Sequence, residues 1–474
     1  MFGVNKKSPL TSESAPLSLD SGSKVAVIGG GPAGSFFSYF LLDFAERMMM
    51  DIQLDIFEPK DFSRFGPAGC NHCGGIISEA MVQLLATEGI NLPPTVVQRG
   101  IESYVLHTDV GRVKLETPVQ EKRIAAIYRG AGPLGTKTAE WGSFDGFLQE
   151  LTIRKGANHI KDRVDRVDFD SDRPVVTTRS GLSQTYDLVV GAGGINSKFS
   201  QLFEGENFDY RPPQATKTFI CEFLIGKKLV EQYFGNSMHV FLLDIPRLKF
   251  GALIPKGNNV TMCILGQDID KELVDKFMNA PQVRDCFPPD KLLANSPACK
   301  CFPKINIKKA TKPFGDRLVL LGDCAVTRLY KDGIGGAYYT AKAAASTAVF
   351  HGISSQSFRK YYWPTCRKLD MDNAIGRFIF AFTNLIQKWS FIKRGILRLV
   401  AKENCKEGSH RRLSGILWDT FTGSASYQNI FQRTLSPAFL ASLTWETGIE
   451  MISLKRDDDK GVEHAKGRIG QNSL

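Results

Sequence analysis

The segment Lys24-Val-Ala-Val-Ile-Gly-Gly-Gly-Pro-Ala-Gly34 constrains this chain more than any other. An apolar run over 25–28 opens directly into glycines at 29, 31 and 34. Residues 35–48 read as a helix, and a second apolar run, 52–57, ends at the carboxylate of Glu58. Strand, glycine turn, helix and acid-terminated strand are the parts that hold a dinucleotide. Gly29 permits the turn, Gly31 lets the backbone approach a pyrophosphate, and Gly34 lets the helix lie close on the strand. The helix start, with Pro32 and Ala33 in its first turn, offers unpaired N–H groups and a positive dipole end to phosphate. Glu58 can accept hydrogen bonds from ribose hydroxyls. A glycine turn without a ligand is the plain alternative for the motif alone. Both strands and the acid at the expected distance favour the dinucleotide.

At 474 residues the chain is long enough for two or three domains. Its apolar and charged contents, 43% and 23%, are those of a soluble globular protein. Residues 1–22 and 456–474 read as loose polar tails, and the first lacks the apolar core of a signal peptide. No run of about eighteen uncharged apolar residues is present, so no transmembrane helix is expected. Ten cysteines are too sparse for a disulfide scaffold, which points to a cytoplasmic chain with reduced thiols. The net charge of +11 is concentrated, because residues 359–412 carry thirteen Lys/Arg against four acids. Such a segment faces anionic lipid, an acidic partner or nucleic acid.

Period-two alternation marks strands at 103–108 and 112–117, and residues 144–151 begin a helix. Strands follow at 163–169 and 175–179. Tyr186-Asp-Leu-Val-Val-Gly-Ala-Gly-Gly194 and Arg317-Leu-Val-Leu-Leu-Gly-Asp323 are two more buried-type strands that end in glycine. Stretches at 218–225, 239–243, 250–256 and 260–265 make a second, antiparallel sheet. Beyond Asp332-Gly-Ile-Gly-Gly336 a helix is expected over 337–350, and the chain reads helical from 358 to about 405. The expected organisation is a dinucleotide-binding domain in three pieces, 23–100, 136–205 and 311–356. Substrate-domain segments 101–135 and 206–310 lie between them, and a helical C-terminal region, 357–455, follows.

Three glycine-ended strands in this order resemble the FAD-dependent oxidoreductases of the p-hydroxybenzoate hydroxylase fold, and most closely the geranylgeranyl reductase family. Two further segments carry the reductase resemblance. Cys73-Gly-Gly-Ile-Ile-Ser78 looks like the family's Cys-Gly-Gly segment, and Phe250-Gly-Ala-Leu-Ile-Pro-Lys256 like its aromatic-rich strand. The likeness covers about residues 20–350. It implies an α/β protein: a Rossmann-type FAD-binding domain with an antiparallel β-sheet substrate domain and a helical C-terminal extension. It also implies that Gly322 and Asp323 hold the ribityl chain of FAD. Gly333, Gly335 and Gly336 then lie beside the isoalloxazine ring, where the helix start supports negative charge on the reduced flavin. Val164 is the residue expected beside the adenine. Arg129 and Arg64 either meet the pyrophosphate or ribose or are solvated surface arginines. Cys73 is the candidate catalytic residue, as a proton donor or as part of the pocket wall. Two positions depart from the family pattern: Gly193 stands where many relatives carry aspartate, and Tyr330 where a proline is usual.

The resemblance thus implies hydride transfer via flavin N5 to or from a lipophilic small-molecule substrate, an isoprenoid alkene or a quinone. No second GxGxxG marks a separate nicotinamide domain. The reductant is then NAD(P)H as a transient visitor, or a protein electron donor. A flavin monooxygenase or halogenase, and an electron-transfer subunit of a membrane-associated complex, are the competing readings. Cys70 and Cys73 with Cys299 and Cys301 admit a metal or iron–sulfur site, but CxxC with CxC is not a standard ligand spacing. No metal ligand is therefore assigned. Over 374–400, Phe378, Phe382, Leu385, Trp389, Ile392, Ile396 and Leu399 form one stripe of a single helix, with Arg377, Lys388, Arg394 and Arg398 on the other side. That helix either packs on the body of the protein or lies on an anionic membrane surface. Nucleic acid is not expected, since no binding fold accompanies the charge. The expected location is cytoplasmic, peripheral at the inner face of the membrane.

Overall fold

The computed structural model describes residues 17–449 apart from 71, 117–123, 136–141, 171, 204–208, 290–297 and 406–410. Of the two expected tails, 1–16 and 456–474 lie outside the described residues. Residues 17–22, assigned to the first tail, are anchored instead through Leu17 and Leu19. Leu19 is buried in the core and the Leu17 carbonyl accepts a hydrogen bond from the Ile353 N–H. Two apolar side chains at alternate positions gave this short segment a face to bury.

The strand Lys24–Ile28 sits inside a six-stranded sheet. Its order is Phe314–Gly315, Leu318–Leu320, Leu188–Gly191, Lys24–Ile28, Gln53–Phe57 and Asn158–Ile160. All neighbours are parallel except the edge pair Phe314–Gly315 with Leu318–Leu320. The strands end level: Ile28 pairs with both Phe57 and Gly191, and Gly191 pairs with Leu320. Strand order reverses at Lys24–Ile28, so a crevice opens beyond its carboxyl end, where open α/β sheets bind ligands. Both faces of the sheet are covered, which explains its near-continuous apolar strands. Val25 and Val27 pack on the helices Pro32–Arg47 and Gly333–Phe350, while Ala26 and Ile28 pack under the small sheet of Val164–Asp170, Arg173–Thr178 and Ser183–Thr185.

A seven-stranded sheet stands beside this unit, in the order Cys299–Cys301, Phe219–Leu224, Asn259–Gly266, Leu248–Pro255, Ser237–Leu242, Ser103–Thr108, Gly111–Glu116. It is antiparallel except for one pair, Ser237–Leu242 with Ser103–Thr108, where a distant chain segment joins alongside. Helices Lys271–Met278 and Pro281–Arg284 cover one face. The other face meets the C-terminal helices.

The expected single helix over 374–400 is two helices, Trp363–Lys388 and Ser390–Asn404, because Trp389 adopts an extended conformation between them. Lys393 explains the break: its ammonium donates to the Gln387 carbonyl and to Asp109, both at 2.7 Å. The expected stripe is split as well. Ile396 is buried, whereas Phe378, Phe382, Leu385 and Trp389 are 61%, 52%, 38% and 44% exposed. The first helix packs through Leu369, Asn373, Gly376 and Phe380 instead. Helices Arg412–Thr422 and Tyr427–Thr434 and a last one over 437–449 complete the region. Among the described residues, no helix is long and apolar enough to cross a membrane.

Candidate active site

The glycine turn is tight for stated reasons. Gly29 has φ +109°, and a Cβ there would lie 2.5 Å from the Ala192 carbonyl oxygen. A Cβ at Gly34 would lie 1.9 Å from the Gly29 carbonyl oxygen. Pro32 opens the helix at its first position with Gly31 before it, and neither a side-chain cap nor a first-turn acid occupies its N–H groups. A phosphate is the ligand that such an end suits. Glu58 is buried and accepts hydrogen bonds from the N–H groups of Gly30 and Lys60, both at 2.9 Å. Burial pushes its carboxyl above the ordinary range. A carboxylate offers about four lone-pair sites, so Glu58 keeps capacity for hydroxyl donors.

A cavity of about 970 Å³ runs on from this turn. Gly29, Gly31, Pro32 and Ala33 line it at one end, with Glu58 and Val164 beside them. Cys73, Arg129, Asp323 and Gly333 line it too. Gly34, Gly322, Gly335 and Gly336 lie behind the wall. Gly322 has φ +54° and its missing Cβ would meet Ala33 at 2.9 Å, so it lets the loop close over the first helix. Gly336 brings its helix against Thr327 at 3.0 Å in the same way. Arg64 is exposed and does not line the cavity.

Asp323 faces the cavity at the end of the strand Leu318–Leu320, and no hydrogen-bond partner of its carboxylate occurs among the described residues. Burial pushes its carboxyl up, and the nearby Arg129 charge opposes that. Arg129 is no solvated surface residue. It forms a two-pronged pair with Asp145, whose side chain is fully buried, with Nη2 2.8 Å from Oδ2. Burial works against its charge, but Asp145 outweighs this and holds the guanidinium protonated. Ser143 fixes the pair locally. Its hydroxyl donates to the Arg129 carbonyl at 2.7 Å and caps the helix Phe144–Arg154.

Cys73 is half-buried on the cavity wall, its Sγ accepting the Gly75 N–H at 3.3 Å. Gly74 and Gly75 press this loop onto Cys263 Sγ and the Ile127 carbonyl, contacts that a Cβ would close to 2.9 and 2.1 Å. Cys70, Cys299 and Cys301 lie in the same neighbourhood, close enough for their charges to interact. Among the described residues these four cysteines do not bring three ligand atoms within reach of one ion.

The far end differs from expectation. The start of the helix Gly333–Phe350 is already capped: Asp332 accepts the Gly335 N–H at 2.9 Å, and Arg328 pairs with Asp332 at 3.0 Å. The dipole end expected to support flavin charge is therefore shared with a carboxylate and its counter-ion. Lys331 lies beside it, 4.1 Å from the Tyr427 ring centroid, donating to the Asp419 carbonyl at 2.9 Å. Burial pulls its ammonium down to about 7. Phe421 and Thr422, from the C-terminal helices, close this end of the cavity. The last wall is apolar: Met238, Val240, Phe250, Ala252, Ile254 and Leu265 of the seven-stranded sheet. No spacing in the sequence signals Arg328, Lys331 or Phe421, which reach the site only through tertiary packing.

An uncapped helix end, a glycine cradle that a Cβ would fill and an unpartnered, half-buried acid are what an FAD requires. No protein-family model matches the chain. It is 25% identical over 394 residues to the chloroplastic geranylgeranyl diphosphate reductase of Arabidopsis thaliana, covering 73% of each chain. The geranylgeranyl diphosphate reductase of Synechocystis sp. is 24% identical over 349 residues, 69% of this chain and 74% of that one. Among solved structures, a geranylgeranyl bacteriochlorophyll reductase-like protein from Thermoplasma acidophilum superimposes with a TM-score of 0.63 at 14% identity, over 90% of this chain and 99% of that chain. HpxO of Klebsiella pneumoniae, solved with FAD, gives 0.54 at 16% identity, over 85% and 99%. The fold is that of the FAD-binding flavoprotein oxidoreductases. Within this flavoprotein fold the cavity joins the dinucleotide crevice to the apolar sheet face without a break.

Proposed function

We propose that this chain is an FAD-dependent oxidoreductase acting on a lipophilic substrate, an isoprenoid alkene before a quinone. The observation that carries the reading is the single cavity that runs from the glycine turn to the apolar sheet face. The names of the relatives, geranylgeranyl diphosphate reductases, put the alkene first. When bound, the flavin supplies hydride chemistry at N5, with NAD(P)H or a protein donor as the source of electrons. The chain supplies the rest. The helix start at Pro32 binds the pyrophosphate, Glu58 the ribose and Asp323 the ribityl hydroxyls. Arg129, locked by Asp145, fixes the cavity wall between them. Cys73, with its Sγ on the cavity wall, is the chain's candidate to give a proton to the substrate. Phe250, Met238 and Val240 exclude water from the chain of an apolar substrate.

We also propose that the exposed Phe378, Phe382, Leu385 and Trp389 rest on an anionic membrane surface, from which a lipophilic substrate would come.

The test is anaerobic. Purified protein should show a flavin spectrum, be bleached by a reductant, and regain colour on adding an isoprenoid alkene or a quinone, with reduced product formed. Colour regained only by oxygen, with a hydroxylated or halogenated product, selects the monooxygenase or halogenase reading. A chain that stays colourless after incubation with FAD rejects both.

A further inference from the structure

The seven-stranded sheet has two faces, and the proposed chemistry uses one. Met238 and Val240 point to the cavity. His239 lies between them in sequence, so it points to the opposite face. There it meets His107 of the neighbouring strand and Cys286, which follows the helix Pro281–Arg284. The three are 7%, 2% and 3% exposed. His107 Nε2 lies 3.0 Å from His239 Nδ1, His239 Nδ1 3.2 Å from Cys286 Sγ, and Sγ 3.9 Å from His107 Nε2. Among the described residues this is the one group in which three metal-type ligand atoms lie within 4.8 Å of one another. Three atoms at those separations lie on a circle of radius about 2.0 Å. An ion at or just off its centre would meet all three at about 2.0–2.3 Å, the lengths of metal–imidazole and metal–thiolate bonds.

A hydrogen-bonded trio is the competing explanation. It uses one ring proton and one weak thiol proton among three groups whose ligand atoms lie 3.0–3.9 Å from one another. The surroundings make such a trio a poor filler, since Phe241 stacks on His107 at 4.6 Å and Phe234 meets His239 at 5.1 Å. Apolar residues would fill that space without burying three polar groups. A metal gives the polar groups a reason to be there.

Charge selects among metals. The Cys286 thiolate is the one anionic ligand. It cancels the charge of a monovalent ion and leaves a divalent ion with a net positive charge among phenylalanines, with Arg112 of the adjoining strand adding to the penalty. Zinc in closed sites also takes a fourth ligand. Cuprous ion accepts thiolate and imidazole, and three ligands suffice for it.

We propose that His107, His239 and Cys286 form a buried trigonal site for a thiophilic metal ion, cuprous copper in first place. Binding expels one proton, from the Cys286 thiol, and joins the 281–286 segment to two strands of the sheet. The ion is separated from the flavin cavity by the thickness of the sheet, so its role is to hold that face together.

The full chain, grown with copper and zinc supplied and then exposed to cuprous ion under anaerobic conditions, is tested by elemental analysis and X-ray absorption. The expected result is about one copper per chain with one sulfur and two nitrogen ligands, and at least tenfold weaker retention in Cys286→Ser with FAD content unchanged. Zinc held in place of copper by the same ligands overturns the copper assignment. A chain that retains neither ion, or whose metal shows no sulfur ligand, overturns the site. If Cys286→Ser does not fold, the ligand count in the unaltered chain decides by itself.

Discussion

A methyl group at position 34 would sit 1.9 Å from the Gly29 carbonyl oxygen, and that oxygen belongs to a turn held between two strands. Neither backbone can give way without opening the crevice. Gly34→Ala should therefore destabilise the chain by about 2 kcal/mol or more, as overpacking does, and yield protein without bound flavin. Urea denaturation and the flavin absorbance per chain measure the two effects, and a fully coloured variant of unchanged stability would contradict the geometry. Glu58 and Asp323 make a second prediction, with a sign. Burial raises the carboxyls of Glu58 and Asp323 in the free chain, while hydroxyl donors from FAD favour their ionised forms. Binding then releases protons, so affinity for FAD rises with pH across the window between the free and bound values and falls as pH drops through it. The free chain behaves oppositely: its raised carboxyls bind protons that the unfolded chain does not, and it gains stability as pH falls from their raised values towards the ordinary carboxylate range. Fluorescence titration of FAD from mildly acidic to neutral pH should show the first trend, and Asp323→Asn should flatten it. These glycines and acids were legible in sequence because each serves a backbone or ligand need confined to a few residues. Arg129 was not, because what decides between a surface arginine and a buried one is Asp145, brought to it by folding.

The elbow at Trp389 shows what periodicity alone cannot tell. A repeat of fours and threes identifies a helical face, yet core and solvent faces of an aromatic-rich helix repeat alike. Phe380, Gly376 and Asn373 make the buried face of Trp363–Lys388, and the more regular row of Phe378, Phe382 and Leu385 is exposed. Neither proline nor glycine marks the break. It is made by Lys393, 3% exposed, whose ammonium caps the first helix at Gln387 and reaches across to Asp109. Gln387 in turn donates to the Lys249 carbonyl at 2.9 Å, tying the elbow to the seven-stranded sheet. Lys393→Met should keep the stem packed but leave the Gln387 carbonyl without its lysine donor and Asp109 with the Asp244 N–H but no counter-charge from Lys393. Asp109 is partly exposed, so the cost falls below that of breaking a fully buried pair, at about 2 kcal/mol. Chemical denaturation reads it, and loss of cooperativity confined to the C-terminal helices would be its hydrogen-exchange signature. Part of the basic count of this region is balanced by acids elsewhere in the chain. Lys393 pairs with Asp109, Lys402 and Arg398 with Glu446, and Arg411 with Glu116. The cysteines follow the same rule. CxxC and CxC are conspicuous in sequence and come near each other, yet among the described residues they bring no three ligand atoms together, whereas His107, His239 and Cys286 do so with no spacing to announce them.

At the scale of the whole molecule, one region closes the cavity and carries the exposed aromatic row. Phe421 and Thr422 shut the apolar end, and Phe378, on the neighbouring helix, touches Phe431 of Tyr427–Thr434 with ring centroids 5.7 Å apart. Singly exposed apolar residues need no explanation; three at helical spacing on Trp363–Lys388 with Trp389 at the elbow that follows, flanked by Lys388 and Arg394, do. A chain of net charge +11 is drawn to an anionic surface before any side chain inserts, and the aromatic row then adds contact that salt does not screen. The two contributions separate experimentally. Vesicles containing anionic lipid should bind the protein more tightly than zwitterionic ones, with part of the binding surviving high salt. The triple variant Phe378→Ser, Phe382→Ser, Trp389→Ser should lose the salt-resistant part, at least tenfold, since each half-exposed aromatic gains on the order of 1 kcal/mol on entering the acyl boundary. Flavin content and the rate of flavin reduction by a soluble donor should not change, because none of the three residues lines the cavity. Binding that vanishes in salt for the unaltered chain, or a variant that partitions as well as its parent, would assign the row to a protein partner instead. A parent that forms dimers while the variant stays monomeric would identify that partner as a second copy.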